Sequence, residues 1–478
     1  MQLYAHQSAF LQATTSIRTY AILWEMGLGK TLAALMTAKH LWDDGIKITG
    51  VLVVTANGVR HSWKQEVEKF LPGIGHHLRW RSATWEKEMK ETDSVAKLVV
   101  FVMNAEAFAT ARGVAAVTAF LKRRKCLLIV DESHYFKNPS ALRTKTMWKL
   151  APLAVYRRIM TGTPIANGPL DLYAQFRILH QDILGFPSYY AFRARYAVMK
   201  PLPGRIVNGR QIEIVVGFKN VDELIDKVKM RASILRKEDC LDLPPKVYRA
   251  PRMFELSKQQ RSWYDELKKS VMMEIAGGRM SAPMAMTKLM RLHQISCGFL
   301  QLDDGTIVKA DENPRIDALL ELLEECHGKV IIWASYRESI RAIKEAIAKK
   351  YGPGVAVDFY GDTSEADRRY AVEAFQDLEP SCPVRFFIGH PAAGGVGITL
   401  TAARDVIYFS SGYSYVQRVQ SEDRAHRIGQ AKSVSYTDIL GVNTVDDKIL
   451  AALVDKQELS SQLTGESLRT WLAEDTAR

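Results

Sequence analysis

Short apolar runs alternate with amphipathic segments through the first 160 residues of the chain. Apolar runs bounded by polar segments are typical of buried parallel strands when helical patterns separate them. The predicted strands are Tyr20–Trp24, Ile48–Thr55, Leu98–Met103, Cys126–Val130 and Arg158–Thr161. The segments between them that place apolar residues at helical spacing are Thr31–Trp42, His61–Leu71 and Ser140–Leu150. The pattern predicts a parallel α/β sheet with crossover helices.

The alternation is lost between about Pro187 and Gly217 and returns near Arg315. Polar and basic residues with three prolines fill residues 187–217, so we expect a helical or irregular insertion there. The later predicted elements are a helix at Ile316–Cys326 and strands at Lys329–Ala334, Val355–Tyr360, Arg385–Gly389, Val406–Phe409 and Val434–Leu440. They predict a second α/β lobe.

The chain length of 478 residues favours about two to four domains. The segment Leu241–Val247 (LDLPPKV) has two consecutive prolines, which neither continue a helix nor join a sheet interior, so we expect a linker there. We expect a first lobe at residues 1–240, with a basic protrusion at about 180–220. A linker and a helical lead-in then occupy 241–314, and a second lobe that ends in a helix occupies 315–478.

The composition, 47% apolar and 25% charged, excludes disordered and low-complexity classes. Lys and Arg total 65 against 53 Asp and Glu, and the formal charge of +12 favours an anionic partner such as nucleic acid. Five cysteines lie far apart with no C-x-x-C pair, which argues against a disulfide framework or a zinc site and fits a reducing compartment. The N-terminus has no signal-peptide pattern, and no apolar run approaches about 18 residues, so we expect neither secretion nor membrane spanning.

The sequence EMGLGKT (Glu25–Thr31) follows a predicted strand and opens a predicted helix, which is the context of a phosphate-binding P-loop. Gly27 and Gly29 would let backbone N–H groups turn towards phosphates, Lys30 would reach the terminal phosphates, and Thr31 would ligate magnesium. The strict pattern would require glycine at position 24, where the chain has Trp24. The alternative is a glycine-rich turn with an incidental lysine.

The predicted strand Cys126–Val130 delivers Asp131 and Glu132 at its carboxyl end, where ligands bind in parallel α/β sheets. Asp131 would hold magnesium through water, and Glu132 would polarise the attacking water. The alternative is a helix cap or a turn. The upstream P-loop, in the chain order of P-loop ATPases, favours the catalytic interpretation.

Several further segments resemble the motifs of Swi/Snf-type ATPases of helicase superfamily two. These are DESHYFKN (Asp131–Asn138), TGTPIANGPLDLY (Thr161–Tyr173), ILRKEDCLDLPPKV (Ile234–Val247), SEDRAHRIGQ (Ser421–Gln430), the segment Tyr4–Gln7 and the segment Val51–Phe70. The match covers nearly the whole chain, residues 4 to about 442. The resemblance implies two RecA-like lobes that close on ATP and Mg²⁺.

The resemblance also assigns residues to the nucleotide. It implies that Gln7 recognises adenine and that the second lobe supplies Arg424 and Arg427 as arginine fingers. A guanidinium that reaches the transferring phosphoryl group stabilises the charge that builds there. The alternative for the two arginines is an exposed basic helix.

The chain departs from the family pattern in three ways. Trp24 stands where Asp is usual, and Tyr413–Tyr415 replaces a common Trp-Asn-Pro. The third departure is the lack of room for a chromatin-reading extension beyond the lobes. We therefore expect a compact member like the viral and bacterial ones, and not a nucleosome remodeller.

Nucleic-acid contacts are predicted from two sources. The segment from Ser188 to Arg210 combines aromatic and basic residues with no acidic one, so Arg193, Arg195 and Lys200 are candidates to grip duplex phosphates. The alternative is an ordinary basic surface with packed aromatics. The resemblance adds the candidates Thr55, Trp63, Ser335, Gly394, Gly395 and Thr399, for which the alternative is plain loop and turn chemistry.

The leading hypothesis is a DNA-dependent ATPase that moves along double-stranded DNA, with a DNA-bound protein as a further candidate substrate. One alternative is a helicase that separates DNA or RNA strands. Another is a DNA-binding protein remodeller with a weakened ATPase, suggested by Trp24 and the segment at Tyr413. We expect a cytoplasmic protein in a bacterium or a virus-infected cell, or a nuclear one in a eukaryote. The sequence leaves the oligomeric state open.

Overall fold

A computed structural model describes residues 3–44, 48–95, 97–207, 210–276, 282–392 and 397–462. The chain forms two compact units, of which the first reaches Leu241 and the second spans Asp242–Asp455. A parallel β-sheet is the centre of each unit. This confirms the predicted α/β class with two parallel-sheet lobes.

The first unit is a seven-stranded sheet with helices between its strands. Its elements are α1 (Ala5–Thr14), β1 (Thr19–Trp24), α2 (Lys30–Asp43), β2 (Gly50–Thr55), α3 (Arg60–Phe70), β3 (Gly75–Arg79), α4 (Trp85–Glu91), β4 (Leu98–Asn104), α5 (Ala111–Arg123), β5 (Cys126–Asp131), α6 (Leu142–Leu150), β6 (Tyr156–Met160), α7 (Asp171–Leu179), α8 (Tyr189–Tyr196), β7 (Ala197–Val207), β8 (Arg210–Phe218), α9 (Val221–Lys229), β9 (Ala232–Leu235) and α10 (Lys237–Cys240). The strand order is β3-β4-β2-β5-β6-β1-β9, and all the pairings are parallel.

Both faces of this sheet are buried because successive strand residues point to opposite sides. Along β2, Leu52 and Val54 join an apolar cluster with α5, α6 and α7, whereas Val51 and Val53 join another with α1, α2 and α3. Strands buried on both faces therefore appear in the sequence as continuous apolar runs rather than alternating ones.

The strand order places the chemically important segments along one edge of the sheet. Strands β2, β5, β6 and β1 are successive neighbours, so their carboxyl ends meet at the same edge. Thr55 ends β2, Asp131 ends β5, Thr161 follows β6, and the loop at Glu25 follows β1. In parallel α/β sheets this edge is the usual place for a ligand.

In the first unit, two edge strands and a hairpin were missed by the pattern of apolar residues. Strand β3 has the sequence GHHLR and β9 has only four residues, and each pairs with a single neighbour. The insertion predicted as helical or irregular contains the helix α8 and an antiparallel hairpin of β7 and β8. This hairpin lacks the apolar pattern of a buried strand, because it contains prolines and charged residues and adds no strand to the large sheet.

The second unit contains the other large sheet. Its elements are β10 (Lys246–Tyr248), β11 (Arg252–Phe254), α11 (Lys258–Ala276), α12 (Ala282–Ser296), β12 (Phe299–Gln301), β13 (Ile307–Lys309), α13 (Pro314–Glu325), β14 (Lys329–Trp333), α14 (Arg337–Tyr351), β15 (Ala356–Phe359), α15 (Glu365–Gln376), β16 (Phe386–Gly389), β17 (Ala403–Tyr408), α16 (Tyr415–Glu422), β18 (Val434–Gly441) and α17 (Asp446–Gln462). The strand order is β10-β18-β17-β14-β16-β15, and β11 also pairs with β18.

The segment predicted as a linker enters this second sheet. Lys246–Tyr248 pairs in parallel with Val434–Tyr436 at the edge of the sheet, directly after the two prolines. The prolines are compatible with this position because they precede the strand instead of interrupting it. Within the described ranges, no helix is both long and apolar enough to span a bilayer.

Candidate functional site

The loop between β1 and α2 has the backbone conformation that its glycines predict. Gly27 and Gly29 have φ angles of 89° and 78°, in the left-handed region that other residues rarely adopt. Gly29 is also packed closely, since a Cβ there would lie 2.3 Å from Nε2 of Gln7. A larger residue at position 29 would therefore clash and distort the turn that opens α2.

Lys30 and Thr31 begin α2, where backbone N–H groups and the helix dipole favour anions. Nζ of Lys30 donates to the carbonyl oxygens of Trp24 and Glu25, at 2.8 and 3.2 Å. The ammonium group thus lies across the loop. Phosphate oxygens in this position would replace neutral acceptors by charged ones, which form stronger hydrogen bonds.

Gln7 is part of the same loop structure although it lies on α1. Its Nε2 donates to the carbonyl of Leu28 at 3.2 Å, and its Oε1 accepts from the backbone N–H of Tyr4 at 3.1 Å. A ring nitrogen of His6 also lies 3.0 Å from the Leu28 carbonyl. The N-terminal segment that resembles an adenine-recognising motif therefore contacts the loop directly.

Trp24 occupies the core and not the loop. Its side chain is fully buried at the end of β1, its Nε1 donates to Oγ of Ser233 at 2.8 Å, and its ring packs edge-on against Phe10. Only its carbonyl oxygen faces Lys30. The departure from the strict P-loop pattern at this position therefore changes the packing of the core beneath the sheet and leaves the loop itself free of the tryptophan side chain.

Asp131 and Glu132 adjoin the same edge of the sheet through separate sets of partners. Oδ2 of Asp131 accepts from Oγ1 of Thr55 at 2.9 Å and from Nε1 of Trp63 at 3.1 Å. Oε2 of Glu132 accepts from Oγ1 of Thr161 at 3.0 Å and lies 3.2 Å from Nδ1 of His134. Glu132 has a positive φ of 54° and its side chain makes no capping hydrogen bond, which argues against the helix-cap alternative.

The two carboxyl groups differ in their acidity. Burial, together with the adjacent charge of Glu132, raises the pKa of Asp131 to about 6, while hydrogen bonds from Trp63 and Thr55 oppose that rise. Burial also disfavours the charged form of Glu132, but the hydrogen bond from His134 and the nearby cations hold its pKa at about 2. Glu132 is thus the carboxylate that stays ionised most strongly.

Thr31 and Asp131 supply the donor types that magnesium prefers. Hydroxyl and carboxylate oxygens are hard ligands, and Mg²⁺ usually takes one or two of them together with waters and substrate phosphates. No group of three or more His, Cys, Asp or Glu side chains in the described part of the chain has the arrangement of an all-protein metal site. The donor set fits a magnesium ion that arrives with a phosphate ligand.

Arg424 and Arg427 follow α16 in the second unit and converge on one carbonyl group. Their Nη1 atoms lie 3.5 and 3.2 Å from the carbonyl oxygen of Ile398. Arg424 is 9% exposed and Arg427 is half-buried, so neither belongs to the exposed basic helix of the alternative interpretation. The two guanidinium groups are therefore held together at one place.

A buried charge network, which was not predicted from the sequence, joins strand β10 to the two acidic residues that precede Arg424. Lys246 forms ion pairs with Glu422 at 3.1 Å and Asp423 at 3.2 Å, and the hydroxyl of Tyr248 donates to Glu422 at 2.8 Å. A ring nitrogen of His426 lies 2.7 Å from the carbonyl of Pro244. The lysine of the LPPK sequence was the available signal, but its partners lie more than 170 residues away.

Two of the residues predicted to contact nucleic acid are buried in the structure. Thr55 and Trp63 are 0% and 1% exposed, and both donate to Asp131, so their polar atoms are directed into the protein. Ser335 is half-buried and exchanges hydrogen bonds with Ser410. Thr399 is half-buried, and Gly394 and Gly395 lie outside the described residues.

The basic segment at α8 is only partly available to a phosphate backbone. Arg195 pairs with Glu223 of α9, with Nε of Arg195 at 3.0 Å from Oε2, although no acidic residue lies nearby in the sequence. Arg193 stacks over the exposed ring of Tyr190, and Lys200 is exposed on β7. Two of the aromatic residues, Phe192 and Tyr196, are buried in the core. Tyr189 is partly buried against the same core, so the packed-aromatic alternative holds for three of the segment's four aromatic residues.

The glycine turn with its lysine, the acidic pair and the parallel sheet define a P-loop lobe of the helicase type, followed by a second α/β lobe. The chain belongs to the SNF2-related family. The family profile described as the SNF2-related domain matches residues 15–299, and the one described as the helicase conserved C-terminal domain matches residues 314–429.

Similar proteins come from bacteria and animals. The chain is 25% identical to a SWI/SNF-related matrix-associated actin-dependent regulator of chromatin subfamily A-like protein 1 of Xenopus tropicalis, over 92% of this chain and 42% of that protein. It is 26% identical to the putative ATP-dependent helicase/translocase YwqA of Bacillus subtilis, over 94% of this chain and 47% of that protein. It is 27% identical to the human DNA annealing helicase and endonuclease ZRANB3, over 93% and 38%.

The chain thus spans less than half the length of these three relatives. Among solved structures, one named as the Sulfolobus solfataricus SWI2/SNF2 ATPase core in complex with dsDNA is similar, with a TM-score of 0.43 and 22% identity. That similarity covers 100% of this chain and 96% of the other.

Proposed function

We propose that the protein is a DNA-dependent ATPase that moves along double-stranded DNA without obligate strand separation. The observation that carries this proposal is the assembly of Gln7, Lys30, Asp131 and Glu132 at one edge of the first sheet in a chain of the SNF2-related family. The +12 formal charge and relatives named as a helicase/translocase and a DNA annealing helicase support DNA as the partner.

Each residue of the first unit has a distinct part in the proposed hydrolysis of ATP. Gln7 contacts the loop and orients adenine, and Lys30 together with the N-terminus of α2 compensates phosphate charge. Thr31 and Asp131 hold a magnesium ion, which neutralises charge on the phosphate oxygens. Glu132 stays ionised beside His134 and Thr161, so it is suited to orient and polarise the attacking water.

The second unit is proposed to complete the reaction. We assign the nucleotide site to the lobe at residues 1–240 and the arginine fingers to the lobe at 315–478, with the linker and helical segment 241–314 between them. Arg424 and Arg427 are held together at Ile398, so they can act on the phosphoryl group as a pair. This function requires DNA in the same compartment, which is the cytoplasm in a bacterium or an infected cell and the nucleus in a eukaryote.

The alternative of a weakened ATPase receives no support from Trp24. The bulky side chain lies in the core and leaves the glycine turn intact, so it does not obstruct the loop. The alternative of a strand-separating helicase predicts a different product, namely single strands. A bound protein that the motor displaces stays a further proposed substrate.

The decisive experiment compares ATP turnover without nucleic acid and with single strands, plain duplex and forked DNA. We expect plain duplex to stimulate turnover most, and Lys30→Ala to abolish the stimulated rate. Displacement of a triplex-forming third strand from an intact duplex then measures movement. Unwinding of a forked duplex without third-strand displacement would favour the helicase alternative, and turnover that no DNA stimulates would contradict the proposal.

A further inference from the structure

Asp131 is held by two neutral hydrogen-bond donors that come from two other elements. Thr55 is the last residue of β2 and Trp63 lies on α3, and both donate to the same carboxylate oxygen, Oδ2. The two donors are removed from solvent, because Thr55 is 0% and Trp63 is 1% exposed, whereas Asp131 itself is half-buried. The carboxylate is therefore fixed in one orientation at the carboxyl end of β5.

The register of the strands places Thr55 next to Asp131. β2 and β5 are parallel neighbours in which Val54 pairs with Val130, so the next residues of each strand, Thr55 and Asp131, lie side by side. The indole of Trp63 is part of the apolar cluster that also contains Val53 and Ile129. Its packing therefore fixes the direction of its N–H group, which points at the carboxylate.

The chemical type of the two donors matters. A lysine or an arginine at either place would neutralise the carboxylate and compete with a cation, whereas a hydroxyl and an indole N–H orient it and leave its charge in place. A carboxylate that is held through one oxygen can present its second oxygen to a metal ion or its water. Partners of metal ligands typically change metal affinity by about 10- to 100-fold when they are removed.

We infer that Thr55 and Trp63 are positioning residues for Asp131, which set the affinity of the nucleotide site for its divalent cation and do not contact DNA. The inference rests on the proposed function, because it takes Asp131 as a ligand of the cation that accompanies the nucleotide. The inference gives a role to two residues that the family resemblance had made candidates for contacts with nucleic acid. Their burial beneath the surface excludes the side-chain contacts that such a role requires.

The test is to measure binding of Mn²⁺ in the presence of ADP to the full-length protein by electron paramagnetic resonance, with no turnover needed. Thr55→Val removes the hydroxyl and keeps the shape, and Trp63→Phe removes the N–H and keeps an aromatic ring. We expect each variant to bind Mn²⁺ about 10-fold more weakly than the parent. Affinity for a labelled duplex, measured without nucleotide or metal, is expected to stay unchanged in both.

Two control variants separate positioning from packing. Thr55→Ser keeps the donor and should restore Mn²⁺ affinity to within about twofold of the parent, since the hydroxyl is the group that matters. Trp42→Phe makes the same exchange in a tryptophan that packs against the same apolar cluster, and should leave Mn²⁺ affinity unchanged. If Thr55→Val fails to fold, Trp63→Phe against Trp42→Phe carries the test.

The outcomes distinguish this inference from the proposed function. If the parent protein binds Mn²⁺ with ADP but Thr55→Val and Trp63→Phe bind it equally well, the positioning role is overturned. A loss of duplex affinity in those variants would return the two residues to the nucleic-acid interface and would also overturn it. If the parent itself does not bind Mn²⁺ with ADP, the proposed nucleotide site is wrong, and the inference is wrong with it.

Discussion

Asp131 and Glu132 are adjacent in the chain, yet their side chains meet different groups and have different acidities. Asp131 accepts from Thr55 and Trp63, while Glu132 meets Thr161 and His134. Such a division suits a site in which one carboxylate holds a cation and the other acts on water. At the scale of single residues, this division supports the proposal that the two acids act in separate steps, and it makes their variants distinguishable.

We expect Lys30→Ala to abolish ATP turnover, because the phosphate charge would lose its nearest cation. Glu132→Gln should still bind ATP yet hydrolyse it at a rate lower by at least about 100-fold, since the amide side chain has the shape of the carboxylate but cannot polarise water. Steady-state turnover and binding of a fluorescent nucleotide measure the two effects. Lys39→Ala is the control, because Lys39 pairs with Asp43 on the outer face of α2; parental turnover in Lys30→Ala would refute the site.

The candidate residues with reactive groups have a local signature in the sequence, but most of their hydrogen-bond partners do not. Glycines before Lys30 and acids at the end of an apolar strand have a local signature, because turn geometry and strand ends are encoded in adjacent positions. The contacts of Thr55 and Trp63 with Asp131 join residues 76 and 68 positions apart, and no local pattern encodes them. Thr55 and Trp63 were therefore predicted as nucleic-acid contacts, whereas the positioning role proposed for them depends on contacts that only the structure shows.

Strand β10 and the end of α16 are connected by a buried ion-pair network next to the candidate finger Arg424. Glu422 is 4% exposed and accepts from Lys246, Tyr248 and Arg418. Burial disfavours its charged form, but the two cations hold its pKa below the ordinary value. At the scale of elements, this network ties the strand that follows the two prolines to the segment that carries Arg424.

Lys246→Met should loosen both elements, because it leaves the buried Glu422 without one of its cations. Breaking a buried pair from one side typically costs about 3–5 kcal/mol. Amide hydrogen exchange at Lys246–Tyr248 and Tyr415–Glu422 should accelerate, and the apparent unfolding temperature should fall. Adding Glu422→Gln should recover part of the loss, whereas the exposed-residue control Lys349→Met should change neither measurement. Parental exchange rates in Lys246→Met would contradict the proposed link.

The structure of the α8 segment narrows the prediction for DNA binding to Arg193 and Lys200, because Arg195 pairs with Glu223. The affinity for B-form duplex should fall with salt, and each phosphate contact contributes about 0.9 to the slope of log K against log salt. Arg193→Ala with Lys200→Ala should reduce that slope by up to about two units and lower the affinity for all sequences alike. Arg195→Ala should have less effect, since Arg195 already pairs with Glu223.

Fluorescence anisotropy over a salt series measures this slope, and basal turnover without DNA serves as the control because α8 lies outside the nucleotide loop. An unchanged salt slope in the double variant would show that Arg193 and Lys200 belong to an ordinary basic surface.

The hairpin β7–β8 itself was not predictable, because Pro201 and Pro203 interrupt the pattern that a buried strand shows. The strands buried on both faces were predictable because their apolar runs are continuous.

At the scale of the whole molecule, the proposed reaction needs both units, since the nucleotide loop belongs to the first and the candidate fingers to the second. Two α/β lobes could be predicted because the strand–helix alternation occurs twice in the chain. Binding and hydrolysis of ATP should therefore depend on different units. Variants of the second unit are expected to separate these two steps.

Arg424→Ala and Arg427→Ala should each slow ATP turnover strongly while the affinity for nucleotide changes little. A guanidinium that reaches the phosphoryl group stabilises charge that exists mainly in the transition state, which is worth roughly 10³ to 10⁵ in rate. Their convergence on Ile398 predicts that the two effects will not be additive, because loss of one arginine leaves the other with a changed neighbour. Single-turnover hydrolysis and fluorescent-nucleotide binding by the full-length protein measure the two steps separately. Arg404→Ala, at an exposed position of β17, is the matched control and should behave like the parent. Equal losses of nucleotide affinity and turnover in the finger variants would indicate that these arginines bind ATP in the ground state and would contradict their assignment as fingers.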